Sequence, residues 1–132
     1  MPHTIRTAVQ QRFSDIDSFR HVNNVAQQMY FDVGKSDFFD RLLGRDALFA
    51  PTRIITAATN TSYLGQIRFG DRIEVTTQIE RIGTKSLTLL QRLVADDGSI
   101  RSESRSVMVA YDFEAQQSVP VPDAWREALA AE

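Results

Sequence analysis

The chain has 132 residues, of which 42% are hydrophobic and 24% are charged, and its formal net charge is −2. This length suits one hydrophobic core, so we expect a single domain that spans residues 1–132. The chain has no excess of basic residues that would indicate a nucleic-acid partner. The absence of cysteine excludes disulfides, thiolate nucleophiles and cysteine metal sites.

The sequence has no feature that directs a chain into or across a membrane. No apolar run approaches the roughly 18 residues that are needed to cross a bilayer. Residues 1–6 are not followed by the apolar stretch of a secretory signal. We therefore expect a cytoplasmic protein without a membrane partner.

The first part of the chain predicts a strand followed by one long helix. Residues 5–13 favour a strand, and the polar residues 14–18 favour a turn. Between residues 22 and 43, apolar residues recur at spacings of three and four, which is typical of an amphipathic helix. Gly44 is a residue type that commonly ends a helix. A helix of this length would extend about 30 Å, which is long for so small a domain.

The remainder predicts four strands and a short terminal helix. Residues 54–63, 72–80, 87–93 and 101–113 favour strands, because β-branched residues are frequent or polar and apolar residues alternate. The run Asp96-Asp97-Gly98-Ser99 predicts a hairpin turn, since Asp and Gly tolerate a positive φ. Residues 121–125 begin a short helix, with Asp123 as a candidate N-cap.

One long helix and five strands with short connections indicate an α+β fold, in which the helix packs on a five-stranded antiparallel sheet. A single helix cannot cover so broad a sheet, and the strands carry much polar surface. We therefore expect a homodimer or a homotetramer that covers the exposed edges or faces.

Residue types that carry chemistry concentrate where the polar turn enters the helix: Asp15, Asp17, His21, Asn23 and Asn24. The backbone N–H groups of a helix N-terminus are unpaired and can stabilise a developing oxyanion. A carboxylate held nearby, such as that of Asp17, can attack a carbonyl or activate a water. The chain has no Gly-x-Ser-x-Gly elbow and no Gly-rich phosphate loop, which argues against a serine hydrolase and a P-loop enzyme.

These motifs resemble one known family. Arg12-Phe13-Ser14-Asp15-Ile16-Asp17, followed by His21-Val22-Asn23-Asn24, is similar to the opening motif of hotdog-fold acyl-CoA thioesterases, in particular the 4-hydroxybenzoyl-CoA thioesterase-like group. Further likenesses follow at residues 30–32, 70–75, 108–112 and 121–125. The resemblance covers nearly the whole chain and implies a hotdog fold, in which the sheet wraps a long central helix.

The resemblance also implies a reaction, which is hydrolysis of an acyl-CoA to a free acid and coenzyme A, without a cofactor or a metal. It implies that Asp17 is the catalytic carboxylate and that an amide near Asn24 polarises the thioester carbonyl. It further implies that the substrate lies at a dimer interface. The chain departs from the family at Arg20, where Gly is common, and at Gln27, where Tyr is common.

Five other residues have subsidiary roles in this hypothesis. His21 and Asn23 would brace the loop that carries the carboxylate. Tyr63 and Thr61 are candidates for the acyl pocket, and Lys85 is a candidate for contact with CoA phosphates. Tyr63 and Thr61 could simply be strand residues, and the sequence favours a solvated strand end for Lys85 over a contact with CoA.

Several alternatives remain open at this point. Asp17 could be only a turn or capping residue, while Asp15 fits a structural role better than a direct one. The two could hold a metal, but no third carboxylate lies near them in sequence. A hotdog-fold hydroxyacyl-thioester dehydratase would need His21 as its histidine, and a non-catalytic acyl-CoA-binding module would need neither. The sequence does not distinguish a nucleophilic Asp17 from a general base.

Overall fold

The computed structural model describes residues 3–130, except for the side chain of Leu48. Residues 1, 2, 131 and 132, which end the predicted domain, lie outside the described residues. The elements are β1 (Thr4–Val9), α1 (Asn24–Leu43), β2 (Thr52–Tyr63), β3 (Ile73–Ile82), β4 (Ser86–Ala95), β5 (Ile100–Asp112), β6 (Gln117–Ser118) and α2 (Asp123–Ala130). Single 3₁₀ turns lie at Phe13–Asp15 and Arg45–Leu48.

Within residues 3–130 the strands form one antiparallel sheet with the order β1-β3-β4-β5-β2, and β6 pairs with β5. The predicted α+β architecture of one long helix on a five-stranded antiparallel sheet is confirmed, with β6 as a short addition. The first strand is shorter than predicted, since it ends at Val9. The carboxylate of Asp15 accepts a hydrogen bond from Arg12 N at 2.9 Å, and this contact closes a 3₁₀ turn where a strand was expected.

The helix α1 packs on β1, β3 and β4 through its apolar face. The core side chains fall into two clusters along this helix. One contains Val22, Ala26, Tyr30, Phe31, Ile67, Ile73, Val75 and Leu93, and the other contains Phe38, Phe39, Ile79, Leu87, Leu89, Met108 and Leu129. Gly34 permits the close approach of α1 to β3, because a Cβ at this position would lie 2.5 Å from Cγ1 of Val75.

Gly44 and Gly98, which the sequence placed at a helix end and a hairpin turn, both have a positive φ. Gly44 ends α1 with φ +86°, and its N–H donates to Asp40 O. Gly98 has φ +83° in the β4–β5 turn, where the carboxylate of Asp97 accepts a hydrogen bond from Ser99 N at 2.9 Å. Both conformations are costly for residues with a Cβ, so glycine at these positions defines where each element stops.

Strand β2 lies at an edge of the sheet and pairs, within the described part of the chain, with β5 alone. Residues 56–60 of this strand are exposed, and its ladder shifts register between Thr56 and Ala58. Residues 54–63 contain no charged side chain. A long uncharged edge is the part of a sheet most able to pair with another strand.

The inner face of β5 is unusually polar. Ser102, Ser104 and Ser106 are almost fully buried there, while Val107 on the opposite parity is 39% exposed. Ser104 and Ser106 exchange hydrogen bonds with Thr61 and Thr59 of β2. The sheet therefore offers a hydroxyl-rich surface beside the N-terminal half of α1.

No helix among residues 3–130 combines the length and mean hydropathy that a membrane crossing requires.

Candidate active site

Residues 17–21 form a closed loop immediately before α1. Asp17 N donates to His21 O at 3.0 Å, and Arg20 N donates to Asp17 O at 3.0 Å. Ile16 and Val22 pair as an isolated antiparallel bridge at the base of the loop. Arg20 has φ +66°, the left-handed region that favours glycine, which is the residue common here in the family that the motif resembles. The loop is thus defined by its own backbone hydrogen bonds.

The carboxylate of Asp17 is held at one oxygen. Its Oδ1 accepts hydrogen bonds from Phe19 N at 2.9 Å and from His21 N at 3.4 Å. No hydrogen bond within residues 3–130 occupies Oδ2. The side chain is half-buried. One oxygen therefore fixes the orientation of the carboxylate, and the other is free for chemistry.

The start of α1 supplies free amide donors next to this loop. Asn23 is the N-cap, and its Oδ1 accepts the hydrogen bond of Ala26 N at 2.7 Å. The first intrahelical bond runs from Gln27 N to Asn23 O at 3.1 Å. Among the described residues, nothing accepts a hydrogen bond from the N–H of Asn24 or Val25. Free N–H groups at a helix N-terminus favour negative charge, so this is a suitable place for an oxyanion.

The loop and the helix start open into one cleft of about 900 Å³, a volume that includes the solvent at its mouth. Its lining residues are Asp17, Phe19, His21, Val22, Asn24, Gln27, Tyr63, Leu64, Gly65 and Gln66. A separate apolar cavity lies near the C-terminal end of α1, between Phe39 and Trp125. Among residues 3–130, Arg53 is the one charged residue in its lining, which contains no carboxylate or histidine. Of these two cavities, the cleft at Asp17 is the one whose lining contains a carboxylate and a histidine.

The structure brings together four of the seven residues that the sequence predicted for the site. Asp17, His21, Asn24 and Tyr63 line the same cleft. The side chain of Asn23 turns away from it to cap the helix and to bind the main chain of Asp15.

The other two predicted residues lie outside the lining of the cleft. Thr61 lies two residues before Tyr63 on β2, where its hydroxyl forms a 2.9 Å hydrogen bond with Ser104 Oγ. Lys85 lies in the β3–β4 turn, whereas the cleft adjoins the other end of these strands, about 30 Å away for a ten-residue strand.

Two glutamines of α1 connect the cleft to the polar face of the sheet. Gln27 is buried, its Oε1 accepts a hydrogen bond from Ser102 Oγ, and its Nε2 donates to Val22 O at 3.3 Å. Gln28 Nε2 donates to Thr61 Oγ1 at 2.9 Å and to Tyr63 Oη at 3.1 Å. The wall of the cleft on this side is therefore a hydrogen-bonded network.

Of the six other lining residues, Gln27 was noted on sequence as a departure from the family, and five were missed: Phe19, Val22, Leu64, Gly65 and Gln66. Phe19 and Val22 had a signal, because they lie inside the motif that contains Asp17. The segment 64–66 had none. It reaches the cleft because Leu64 N and Gly65 N both donate to Arg101 O, a contact between residues far apart in the chain.

Asp15 is buried, with 2% exposure, behind the loop. Its carboxylate accepts hydrogen bonds from Tyr30 Oη at 2.6 Å and from Arg12 N and Nε at 2.9 and 3.1 Å. Burial acts to raise the pKa of Asp15, but the hydrogen bonds from Tyr30 and Arg12 outweigh it, so this pKa lies below its ordinary value. Burial and the same hydrogen bond raise the pKa of Tyr30. Asp15 thus binds protein groups and does not line the cleft, which agrees with the indirect role preferred for it on sequence.

Within residues 3–130, His, Asp and Glu side chains do not form any group of three that could hold a metal ion.

Comparison with known proteins decides the family. A profile of the thioesterase-like superfamily matches residues 11–129. The chain belongs to the thioesterase-like superfamily. The resemblance that the Asp15–Asp17 and His21–Asn24 motifs suggested is confirmed, and so is the prediction of an acyl-CoA thioesterase, an enzyme that hydrolyses thioesters.

Relatives of known structure agree with this superfamily assignment. The chain is similar to the predicted thioesterase from Bacillus stearothermophilus, with a TM-score of 0.88 and 30% identity over 96% of this chain and 94% of that one. It is also similar to a Thermus thermophilus thioesterase solved with coenzyme A and zinc, with a TM-score of 0.85 and 27% identity over 96% and 97% of the two chains. The hotdog fold is therefore confirmed.

The chain is also similar in sequence to the uncharacterized protein YsmA of Bacillus subtilis. It is 27% identical over 121 residues, which cover 92% of this chain and 82% of the relative.

Proposed function

We propose that this thioesterase hydrolyses acyl-CoA to a free carboxylic acid and coenzyme A, with Asp17 as the reacting carboxylate. The observation that carries the proposal is the pairing of Asp17 and the α1 N-terminus in one cleft. Asp17 has one fixed oxygen and one free oxygen. Asn24, whose N–H has no partner among the described residues, lines the same cleft.

Two routes fit this pairing, and both give the same products. In the first, Oδ2 of Asp17 attacks the thioester carbon, the C–S bond breaks, and water then hydrolyses the mixed anhydride. In the second, Asp17 takes a proton from a water that attacks the carbon directly. Both routes consume one water, and a proton from it ends on the sulfur, which leaves as the CoA thiol. The water oxygen ends in the free acid or, if water attacks the Asp17 carbonyl of the anhydride, in the Asp17 carboxylate. The amide of Asn24 would bind the carbonyl oxygen as it gains charge.

His21 and Asn23 support the reacting groups without entering the reaction. His21 holds the Asp17 loop through its backbone N and O. Asn23 caps the helix and thereby defines which amides remain free. In the dehydratase alternative the His21 imidazole itself takes part in the reaction, so there the side chain would be essential.

The acyl group would lie against Phe19, Leu64 and Tyr63, with Thr61 supporting Tyr63 through Gln28. This aromatic surface favours an aromatic or medium-chain acyl group over a very small one. The Thermus relative is known in complex with coenzyme A, which supports CoA as the thiol. Lys85 would contact a CoA phosphate only if the nucleotide reached the far end of β3 and β4.

We also propose that the enzyme is a homodimer or a homotetramer. The uncharged, exposed edge of β2 is the surface that supports this, because pairing two copies would satisfy its free backbone groups. Sedimentation should show at least a dimer at micromolar concentration. A monomer at that concentration would contradict the proposal.

The proposed reaction is tested with a panel of aromatic and medium-chain acyl-CoA substrates and a thiol-trapping reagent. We expect thiol release from at least one substrate by the wild type and almost none by Asp17→Asn. Binding of acyl-CoA without thiol release would favour a non-catalytic binding module. Reversible loss of water from a hydroxyacyl-CoA, abolished by His21→Ala, would favour the dehydratase.

A further inference from the structure

A hydrogen-bonded chain behind the cleft links the second turn of α1 to the Asp17 loop. It begins at Tyr30, which is in the core and only 3% exposed. We propose that Tyr30, Asp15 and Arg12 are positioning residues for thioester hydrolysis, which hold the Asp17 loop at a fixed distance from the free amides of α1. The inference rests on the proposed function, because it concerns the same two reacting groups.

The first link of the chain fixes the side chain of Asp15. Tyr30 Oη donates to Oδ2 at 2.6 Å, and Arg12 approaches Oδ1 through Nε at 3.1 Å and Nη2 at 2.9 Å. A charged group with 2% exposure is stable only with such partners. The position of Asp15 is therefore set by the helix on one side and by Arg12 on the other.

The second link runs through the main chain of Asp15. Its carbonyl oxygen accepts hydrogen bonds from Asn23 N at 2.9 Å and from Asn23 Nδ2 at 2.8 Å. The other side-chain atom of Asn23, Oδ1, caps Ala26 N. Movement of Asp15 would thus disturb the cap that leaves the N–H of Asn24 free.

The third link is covalent and short. Asp17 follows Asp15 by two residues, so a shift of Asp15 moves the reacting carboxylate together with the cap. A displacement of about 1 Å between a reacting group and its electrophile can reduce a rate by roughly 10²-fold. None of the three positioning residues lines the cleft, and substrate binding should be largely independent of them.

A merely structural role makes a different prediction. If the buried Asp15 contacts only stabilise the fold, their loss lowers the unfolding temperature, but the folded fraction keeps its wild-type kcat. If they position the site, kcat falls in fully folded protein while KM for the acyl-CoA stays nearly constant. Separate measurement of kcat and KM in fully folded protein therefore distinguishes the two roles.

The test uses the full chain with Tyr30→Phe, which removes one hydroxyl and keeps the ring in the core. We expect kcat on the best acyl-CoA to fall roughly 10-fold to 100-fold, with KM changed by less than about twofold. Tyr111→Phe, which removes a hydroxyl on the last part of β5, is the matched control and should keep wild-type kcat. If Tyr30→Phe does not fold, Arg12→Ala replaces it, with Arg41→Ala as the control because Arg41 pairs with Asp37 in the C-terminal half of α1.

Amide hydrogen exchange provides a readout that does not depend on activity. In Tyr30→Phe the N–H groups of Asn23 and Ala26 should exchange at least about tenfold faster, while those of the β3–β4 ladder stay protected. Unchanged exchange at these two amides, or a wild-type kcat in the variant, would overturn the inference. If the wild type releases no thiol from any acyl-CoA, the proposed function fails, and exchange alone then decides whether Tyr30 holds the loop.

Discussion

Gln28 Nε2 lies 3.1 Å from Tyr63 Oη, and this hydrogen bond connects α1 to the edge strand β2 across the wall of the cleft. The Tyr63 hydroxyl accepts this bond and keeps its own proton to donate toward the cleft that Tyr63 lines. Tyr63 is therefore placed to meet an acyl group, with its orientation set by the helix.

Replacing Tyr63 by Phe should weaken substrate binding more than the chemical step. One hydrogen bond contributes about 0.5–1.5 kcal/mol, so we expect KM to rise up to roughly tenfold with kcat little changed. Steady-state kinetics on the best acyl-CoA will measure both constants. An unchanged KM would show that the hydroxyl does not contact substrate.

The Asp17→Asn variant should lose most activity and keep its fold. Asn retains an oxygen that accepts the hydrogen bonds of Phe19 N and His21 N, so the loop should persist. It has no charge with which to attack a carbon or take a proton, and general-base contributions are about 10²- to 10⁴-fold. His21→Ala, which keeps the backbone contacts, should lose much less. Wild-type kcat/KM in folded Asp17→Asn would disprove the assignment.

The sequence predicted α1, the antiparallel strands and the motif at Asp17 because each depends on local patterns. The periodicity between residues 22 and 43 and the alternation around Val75 are properties of neighbouring residues. The inward-facing Ser102, Ser104 and Ser106 were not predicted. They alternate with Arg101, Glu103 and Arg105, so neither parity of this part of β5 is apolar. Burial of the serines is possible because Thr59, Thr61 and Gln27 provide hydrogen-bond partners.

The contact between Tyr30 and Asp15 was equally invisible in the sequence. The two residues lie 15 positions apart in different elements, and no spacing rule links a turn to the side of the following helix. The motif located the cleft, but the three-dimensional path of segment 64–66 and of Tyr30 depends on how the helix packs on the sheet. Such contacts follow from tertiary structure alone.

Gly34→Ala should destabilise the protein. The new Cβ would lie 2.5 Å from Cγ1 of Val75 and 3.0 Å from Nε2 of Gln91, and both residues are fully buried. Overpacking of this kind typically costs about 1–3 kcal/mol. Urea unfolding will measure the loss, with Ser36→Ala on the exposed side of the same helix as a control that should be near neutral. Equal stability of the two variants would show that α1 can move away from β3.

Acid should destabilise the fold through Asp15. The pKa of Asp15 is lowered in the folded state, so this carboxyl binds fewer protons there than in the unfolded chain. Its contribution is complete above the ordinary Asp pKa of about 4 and is lost as the pH falls through the lower folded-state pKa. The free energy of unfolding should therefore fall less steeply with acidification in Asp15→Asn than in the wild type. Parallel slopes would contradict the assignment of this titration to Asp15.

The stability of variants at Arg20 should depend on how well each residue tolerates the left-handed backbone at this position. With φ +66°, Arg20 pays about 1–2 kcal/mol that glycine would not, partly offset by the greater freedom of glycine in the unfolded chain. Arg20→Gly should thus raise stability by less than about 1 kcal/mol, whereas the β-branched Arg20→Val should lower it. Thermal unfolding of the pair will show the difference, and equal midpoints would mean that the loop relaxes.

The register shift of β2 between Thr56 and Ala58 limits which strands can join that edge. A regular strand aligned beside it would match hydrogen bonds on one side of the shift and miss them on the other, whereas a second copy of β2 carries the same irregularity. If two copies pair there, folding becomes a second-order equilibrium, and the unfolding midpoint should rise with protein concentration. Under strong dilution the separated protomer would expose the uncharged edge of residues 54–63. Aggregation through this edge, rather than simple dissociation, would then determine the rate at which folded protein is lost.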